Sequence, residues 1–398
     1  MMNRVVIVTT KQPGTNPRVR KSATALSAAG MEVHVLYAYT ASWADEADQH
    51  TFRDAQWRHR RIGGHPTQNR RLYFKSRLKS KIGELLHLRE WELCPALNNY
   101  IQQLQSLEPD LVIGHNPGSL PILREWHRTT GCNILFDAED FHRGESYWVR
   151  VKQEATIVDL EDRTLPLLSS MTAASPLIAD AYRNLYPQVN VVTVNNAFPS
   201  ALLQKPPALY DGPLKLIWFS QVLGLDRGLA EFLDGMSLAT EIPISLTLVG
   251  INNEEKKQAI LSRLESPQHT LQFIEPKPEG ELLTLLAKHE IGLALEIGVP
   301  KNRDICRTNK LYTYPLAGCT MLASETAAQL DFLKEWPDTG QSINLTDPSS
   351  IANALTGAHQ QRYELLENRK KAWQCAQTTL NWESESKPLV ELVQSMIS

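Results

Sequence analysis

The stretch IGLALEIGVPKNRDICRTNKLYTYPLAGCTMLAS, residues Ile291 to Ser324, decides the fold. It contains an apolar strand, a polar loop, a short helix, a glycine stop and a second apolar strand. This order within so few residues predicts a βαβ unit, and the ligand crevice of such a unit lies at the carboxyl ends of its strands.

The same stretch places charged groups at that crevice. Glu296 follows the first strand, and Thr308 and Asn309 are plausible N-caps of the helix. The first backbone N–H groups of the helix would carry partial positive charge into the crevice, and Lys310 adds a full charge. A carboxylate facing an anion-binding helix start suits a nucleotide sugar, which has a hydroxylated and a phosphorylated part. A generic βαβ turn is the alternative interpretation.

The rest of the chain predicts two α/β domains. Strands and helices alternate from Arg4 onward, a proline-rich and glycine-rich segment follows near the middle, and the alternation begins again at Leu214. We therefore predict a first domain at 1–198, a linker at 199–213 and a second domain at 214–382. The chain after Ser324 is predicted to be helical, and a last helix at about 383–398 is expected to pack back on the first domain.

Composition excludes several classes of protein. The 398 residues carry a formal net charge of -3, so a global attraction to nucleic acid is not expected. Five scattered cysteines without a C-x-x-C pair indicate neither a disulfide framework nor a thiolate zinc site, and they fit a reducing compartment. The apolar runs are too short for a signal-peptide core or a membrane span, so we expect a cytoplasmic protein.

Polar side chains also follow strands of the first predicted domain. His115 comes directly after the strand that begins at Leu111, and this position makes it a candidate catalytic residue. Arg18, at the start of the first helix, is either a phosphate contact or a solvated arginine. A strand at Asn133 to Phe136 is followed by an acidic cluster with one histidine: Asp137, Glu139, Asp140, His142 and Glu145. The cluster lacks any recognised metal-ligand spacing, so a loop that caps the next helix is favoured over a metal site.

Four segments resemble the retaining family 4 group (GT4) of bacterial glycosyltransferases. They are NPRVRKSATALSAAGMEVHVL at 16–36, FDAEDFH at 136–142, WFSQVLGLDRGL at 218–229, and ALEIG together with TNKLYTYPLAG within 294–318. The last is similar to the N-K-L-F-E-Y-x-x-A-G segment that binds the donor in that family. The resemblance implies the GT-B fold, in which two Rossmann-like doubly wound domains face each other across a cleft.

The resemblance also implies roles for individual residues. Arg227 would pair with the donor diphosphate, Glu296 would accept hydrogen bonds from the transferred sugar, and the helix start at Asn309 and Lys310 would lie beside the nucleotide. Two positions depart from the family pattern. Gln221 stands where the family has an arginine, and Thr313 stands where it has a ribose-binding glutamate.

By the same resemblance, the chain is expected to be a glycosyltransferase. It would move a hexosyl or related sugar with retention from a nucleotide-sugar donor to a glycan or lipid-linked acceptor, in cell-surface polysaccharide or glycolipid assembly, without a metal cofactor. Gln221 and Thr313 motivate one alternative, a nucleotide-sugar-binding partner subunit with weakened catalysis. A nucleotide-sugar epimerase is the other.

A basic amphipathic segment suggests a membrane contact. In RRLYFKSRLKSKIGELLHL, residues 70–88, Phe74, Leu78, Ile82 and Leu85 fall on one helical face among many basic residues. Such a helix can lie on an anionic bilayer at the inner face of the membrane. The alternative is that the apolar stripe packs on the first domain and the charges are merely solvated.

Overall fold

The chain forms two compact units. The computed structural model describes residues 3–145, 151–202, 204–264 and 266–398. Unit 1 contains Met1–Asn195 and Ser386–Ser398, and unit 2 contains Asn196–Glu385.

Unit 1 is built on a seven-stranded parallel sheet with the strand order β3-β2-β1-β4-β5-β6-β7. Its central strand is the β-branched run RVVIVT, whose residues from Val5 to Val8 are completely buried, as expected for a strand covered by helices on both faces. The strands are β1 (Arg4–Thr9), β2 (Glu32–Ala38), β3 (Arg58–Ile62), β4 (Leu111–His115), β5 (Asn133–Ala138), β6 (Ser170–Ala173) and β7 (Asn190–Thr193).

Helices connect these strands. The helix after β1 begins at Pro17 and is capped by Asn16, whose side-chain oxygen accepts hydrogen bonds from the backbone N–H groups of Arg18 and Val19. The helices are α1 (Pro17–Ala28), α2 (Trp43–Arg53), α3 (Arg70–Leu86), α4 (Arg89–Leu93), α5 (Leu97–Leu107), α6 (Leu120–Thr130), α7 (Val151–Thr164) and α8 (Pro176–Leu185).

Unit 2 repeats this design with a six-stranded parallel sheet in the order β10-β9-β8-β11-β12-β13. Its strands are β8 (Leu214–Val222), β9 (Ile244–Ile251), β10 (His269–Ile274), β11 (Ile291–Ala294), β12 (Thr320–Ser324) and β13 (Gly340–Ile343). In both sheets the strand order reverses at one point, between β1 and β4 and between β8 and β11. Ligands of doubly wound folds bind beside the carboxyl ends of the strands at such a switch point.

One helix of unit 2 packs closely against the strand β11. A Cβ atom at Gly292 in β11 would lie 2.2 Å from the ring of Tyr314, and the Tyr314 hydroxyl donates a hydrogen bond to the Leu293 carbonyl at 2.8 Å. The helix that carries Tyr314 therefore packs directly on β11. The helices are α9 (Leu229–Leu238), α10 (Glu254–Leu261), α11 (Glu279–Leu286), α12 (Lys301–Ile305), α13 (Asn309–Leu316), α14 (Ala327–Glu335), α15 (Pro348–Gln360), α16 (Arg362–Thr378) and α17 (Trp382–Glu385).

The segment predicted as a linker, 199–213, is part of unit 2. Its carbonyl groups accept hydrogen bonds from side chains of α16: Trp373 donates to Gln204 at 2.8 Å, and Arg369 donates to Ala208 at 2.8 Å. A proline-rich sequence without apolar periodicity is typical of a flexible linker, but these long-range hydrogen bonds attach the segment to α16.

The prediction that the chain is helical after Ser324 was wrong, because β13 adds a strand at the sheet edge. Its sequence GQSI is short and half exposed, so it lacks the apolar alternation that predicts a strand. The last helix, α18 (Lys387–Ile397), belongs to unit 1. There the Asn133 side chain donates a hydrogen bond to the Met396 carbonyl at 2.7 Å.

Candidate functional site

Glu296 lies two residues beyond the end of β11, at the switch point of unit 2. Its side chain is only 3% exposed. Ser324, the last residue of β12, holds its backbone: the Glu296 N–H donates to Ser324 Oγ at 2.9 Å, and Ser324 Oγ lies 2.7 Å from the Glu296 carbonyl. The loop after β11 is thus attached to the end of the neighbouring strand, which fixes where the Glu296 carboxylate points.

Three cations surround this carboxylate. Arg227, in the loop before α9, places Nη1 3.5 Å from Glu296 Oε1, and Lys310, in the first turn of α13, places Nζ 3.8 Å from the same oxygen. Arg303, in α12, places Nε 3.9 Å from Glu296 Oε2. All three distances exceed the normal length of a charged hydrogen bond, about 2.7–2.9 Å. Glu296 is therefore surrounded by three cations without a short charged hydrogen bond to any of them.

Lys310 is the most buried of the three cations. Burial lowers the pKa of Lys310, and the charges of Arg227 and Arg303 lower it further, whereas Glu296 and Cys306 oppose this effect. Its Nζ lies 5.6 Å from the centre of the Phe219 ring. An anion bound beside Lys310 would relieve this crowding of positive charge, so the charged lysine favours binding of a phosphate.

The start of α13 lies at the same place. Thr308 is its N-cap residue, yet its side chain caps no backbone N–H group. Thr308 Oγ1 is buried and has no hydrogen-bond partner within the described ranges. The Asn309 side chain accepts a hydrogen bond from Asn196 at 3.0 Å. An uncapped helix start beside three cations is a favourable environment for an anion.

The two positions that depart from the family pattern have different environments. Gln221 is exposed near the end of β8. Thr313 is buried in α13, where its hydroxyl donates a hydrogen bond to the Asn309 carbonyl at 2.7 Å. The hydroxyl of Thr313 therefore keeps its oxygen lone pairs for a ligand, but its proton is already used inside the helix.

The switch point of unit 1 contains a closed ionic network. Arg18 binds Asp137 through two hydrogen bonds, Nε to Oδ2 at 2.5 Å and Nη2 to Oδ1 at 2.7 Å. His115 Nδ1 lies 3.1 Å from both Asp137 and Glu139, and Asn16 donates to Glu139 at 2.6 Å. Arg18 is thus neither a solvated arginine nor open to a phosphate, since its guanidinium is buried against Asp137.

The network also determines the charge of its members. Burial opposes the charged form of His115, but Asp137 and Glu139 overcome this effect and raise the pKa of His115 to about 9. The Asp137 carboxyl has a pKa well below its usual range despite its burial, because of Arg18 and His115. The predicted catalytic role of His115 stays a prediction. Its imidazole is completely buried, and its described contacts are to the two acids.

Among the residues of unit 1 that the structure describes, two groups have ligand atoms close enough to hold a metal ion. They are His115, Asp137 and Glu139, and Asp140, His142 and Glu145, with the ligand atoms of each group within 4.8 Å of one another. In the first group Arg18 occupies both oxygens of Asp137, so a cation would have to displace it. In the second, His142 Nδ1 lies 2.5 Å from Glu145. The prediction that no metal is needed stays a prediction.

Sequence reasoning missed Arg303 and Ser324. Both lie within the stretch 291–324, but neither belongs to a recognised motif. Ser324 ends the strand beside β11, and this position in a parallel sheet is a usable signal. Arg303 lies in the short helix α12, within a connection between β11 and α13 whose path the sequence does not specify.

Comparisons with solved structures reveal the fold. Sucrose-phosphate synthase from Thermosynechococcus elongatus superposes with a TM-score of 0.70 at 14% identity, covering 99% of each chain. HepE from Anabaena, in complex with UDP and glucose, gives 0.67 at 12% identity, covering 99% of this chain and 100% of its own. The chain has the GT-B fold.

Further comparisons limit what the fold alone implies. UDP-GlcNAc 2-epimerase from Neisseria meningitidis, bound to UDP-GlcNAc, superposes with a TM-score of 0.62 at 14% identity, covering 98% of this chain and 100% of its own. No family model and no curated protein sequence matches the chain. The GT-B fold is therefore compatible with more than one reaction, and function has to be argued from the site.

Proposed function

We propose that this protein is a glycosyltransferase that uses a nucleotide-sugar donor. The observation that carries the proposal is the placement of three cations around Glu296 at the switch point of unit 2. A donor of this class brings a diphosphate for the cations and sugar hydroxyl groups for the carboxylate. The GT-B neighbours, one of them bound to UDP and glucose, support the same class of ligand.

The reaction moves a hexosyl or related sugar with retention. The bond between the anomeric carbon and the diphosphate oxygen breaks, a bond from the acceptor oxygen forms on the same face, and the acceptor proton passes to the departing phosphate. Arg227 and Lys310 stabilise the negative charge that grows on the leaving group. Glu296 accepts hydrogen bonds from the sugar, and His115 is the second candidate catalytic residue.

The acceptor is a glycan or a lipid-linked glycan of cell-surface polysaccharide or glycolipid assembly. In unit 1, a cavity of about 230 Å³ lies at the carboxyl ends of β1, β2 and β3 and beneath α3. Aromatic and hydroxyl side chains line it, including Tyr39, Tyr73, Ser76 and Tyr100. This mixture of rings and polar groups suits a sugar.

The outer surface of α3 supports a membrane-linked acceptor. Phe74, Leu78 and Leu85 are 56%, 60% and 78% exposed and Ile82 is half-buried, so the first domain leaves most of the apolar stripe uncovered. Six basic residues and one acidic residue share this helix. We therefore propose that α3 lies on the anionic inner face of a membrane. No described helix is long and apolar enough to cross a bilayer.

The test begins with ligand binding. Thermal shift against UDP-, GDP-, ADP- and TDP-sugars should reveal one nucleotide that raises the melting temperature, because a ligand that binds only the folded state stabilises it by mass action. Absence of a shift with all four at millimolar concentration would contradict the proposal.

Turnover then separates the candidate functions. A glycosyltransferase releases the nucleoside diphosphate and transfers the sugar, whereas an epimerase converts the free nucleotide sugar without an acceptor. A partner subunit with weakened catalysis would bind the donor without turnover. Thr313 favours the partner subunit with weakened catalysis, because its hydroxyl proton is already donated to the Asn309 carbonyl.

The proposed reaction needs no metal. We expect that activity measured after EDTA treatment and desalting equals that of the untreated protein, because Arg227, Arg303 and Lys310 supply the positive charge that a divalent ion supplies elsewhere. Loss of activity with recovery on adding Mg²⁺ or Mn²⁺ would overturn this prediction and would direct attention to the two candidate groups in unit 1.

A further inference from the structure

Asn116, which directly follows β4 in unit 1, has a strained backbone. Its φ of 59° and ψ of 158° lie in a region that residues other than glycine rarely adopt. The residue is buried, with only 2% of its surface exposed. Such strain persists only where the surrounding structure holds it, and strained residues are often found at functional sites.

Hydrogen bonds hold Asn116 in this conformation. Its side-chain Nδ2 donates to Thr9 Oγ1 at 2.6 Å, and its Oδ1 accepts from Thr10 Oγ1 at 2.8 Å. Its carbonyl accepts from the backbone N–H of Ser119 at 3.0 Å and from the Ser119 hydroxyl at 2.8 Å. Both ends of the side chain therefore attach the turn after β4 to the end of β1 and the loop that follows it.

The same turn lies behind the cavity of about 230 Å³ that is proposed to receive the acceptor. Thr10 and Leu93 both line this cavity. A Cβ atom at Gly118 would overlap Thr10 Oγ1 and would lie 2.9 Å from the Leu93 carbonyl oxygen. Tyr100, a third lining residue, donates a hydrogen bond to the Thr9 carbonyl at 2.7 Å. The turn and its partners thus support three residues of the cavity wall.

We propose that Asn116 is a positioning residue that sets the wall of the acceptor cavity. The inference rests on the proposed function, since it takes this cavity as the place where the acceptor sugar binds. Asn116 is not among the described residues that line the cavity, so it acts through Thr10 and Thr9. Its strain is the cost of pointing one amide at both hydroxyl groups.

The test compares Asn116→Ala with Asn116→Gly. Both variants remove the two side-chain hydrogen bonds, but only glycine also relieves the strain, so Asn116→Gly should melt about 2–4 °C above Asn116→Ala. Both should nevertheless raise the KM for the acceptor about tenfold. The kcat at saturating acceptor should stay within about twofold, because His115 is held separately by Asp137 and Glu139.

Glu108→Gly is the matched control. Glu108 also has a positive φ, 46°, but it is exposed at the end of α5 and is not among the described lining residues of the cavity. Relief of its strain should leave the KM for the acceptor unchanged.

The assay measures release of the nucleoside diphosphate with defined acceptors. These are the 4-nitrophenyl glycosides of glucose, galactose, mannose and N-acetylglucosamine, whose aromatic group suits the tyrosine-lined cavity. The donor is the UDP-, GDP-, ADP- or TDP-sugar that most raises the melting temperature of the wild type. The acceptor with the highest kcat/KM is then used for every variant, and the KM for the donor should stay within about twofold.

A double variant tests the route through Thr10. Thr10→Val keeps the shape of the side chain but removes the hydroxyl that donates to Asn116. If the two residues act together, adding Thr10→Val to Asn116→Ala should raise the KM for the acceptor less than about twofold beyond the larger single effect. Effects of the single variants that multiply in the double variant would overturn this route.

The outcomes separate this inference from the proposed function. If the wild type binds none of the four nucleotide sugars, the proposed function fails and the inference fails with it. If the wild type binds a donor but transfers to none of the glycosides, the inference alone is overturned. The same holds if Asn116→Gly recovers the KM of wild type together with its stability, since the role of Asn116 would then be structural only. A raised KM for the acceptor in both variants, with the KM for the donor unchanged, supports the inference.

Discussion

The two sheets end in different arrangements of charge at their switch points. In unit 1, Arg18 and Asp137 are joined by hydrogen bonds of 2.5 and 2.7 Å, and His115 lies 3.1 Å from two acids. In unit 2, the cations around Glu296 remain 3.5 to 3.9 Å away. In the first set short hydrogen bonds join opposite charges, whereas in the second set three cations stand farther from one carboxylate.

This difference indicates which switch point is built to receive an anion. A buried ion pair with tight hydrogen bonds has its charges already satisfied, so a ligand gains little by entering. Several cations around one carboxylate repel one another, and a bound phosphate would reduce this repulsion. The network of Arg18 and Asp137 should therefore matter mainly for stability, and the group around Glu296 mainly for binding and turnover.

The largest effect should come from opening the closed network. Asp137→Asn leaves the Arg18 guanidinium buried without its counter-ion, and removing one partner of a buried pair costs about 3–5 kcal/mol. We expect chemical denaturation followed by circular dichroism to show this loss in the transition that includes unit 1. The surface variant Asp180→Asn, whose partner Arg183 is exposed, serves as the control and should change stability by less than about 1 kcal/mol. A similarly small change in Asp137→Asn would remove the distinction between the two switch points.

The second prediction concerns the group around Glu296. Glu296→Gln should lower the rate of sugar transfer about a hundredfold, since a buried charged hydrogen bond is worth on the order of 3 kcal/mol. Its stability should fall less than that of Asp137→Asn, because Arg227 and Arg303 reach solvent. Steady-state assays beside Glu255→Gln, an exposed glutamate of α10, would measure the difference. Turnover near that of the wild type would exclude Glu296 from the reaction.

The third prediction uses the pH dependence of the closed network. The pKa of His115 is raised to about 9 in the folded protein and is about 6.5 in an unfolded chain. Its contribution to stability is therefore complete below about pH 6.5 and is lost as the pH rises through 9, on the order of 3 kcal/mol. The free energy of unfolding of wild type should fall over this range more than that of His115→Gln.

His142 provides the control for that measurement, because Glu145 and other acids raise its pKa to about 9 as well, against the effect of burial. The double variant His115→Gln/His142→Gln should be the least dependent on pH of the set. Parallel curves for wild type and His115→Gln would show that His115 is not stabilised as a cation.

The fold was predictable because its strands are strongly apolar. β1 and β11 have continuous buried runs, and the glycine stops at Gly30 and Gly318 adopt the positive φ that ends a helix. The short or basic edge strands β3 and β13 were missed, because their exposed side chains carry no alternating pattern. The hydrogen bonds that hold the segment 199–213 could not be predicted, because they come from residues more than 150 positions away.

The candidate site was predictable only where a residue follows a strand or begins a helix. Glu296 and Lys310 satisfy that condition, and the structure brings them to 3.8 Å. Arg303 does not, since its position depends on the bonds of Asp304 to α14. Similarly, the sequence gives no sign that Arg18 and Asp137, separated by 119 positions, are partners.

The smallest predicted effect tests whether the basic helix α3 of unit 1 binds an anionic membrane surface. At the switch point of unit 1 short hydrogen bonds join opposite charges, but α3 combines basic residues with an exposed apolar stripe, so unit 1 should meet anions through this helix. Lys75 is exposed between Phe74 and Leu78, and one basic residue at a membrane surface contributes about 1 kcal/mol. Lys75→Gln should therefore weaken binding to vesicles of phosphatidylserine and phosphatidylcholine about fivefold at low salt. Lys334→Gln, at an exposed lysine of α14, should leave binding to these vesicles unchanged.

Binding of wild type should fall at high salt, because screening shortens the reach of surface charge. Equally weak binding of wild type to anionic and neutral vesicles would show that α3 meets a soluble partner instead.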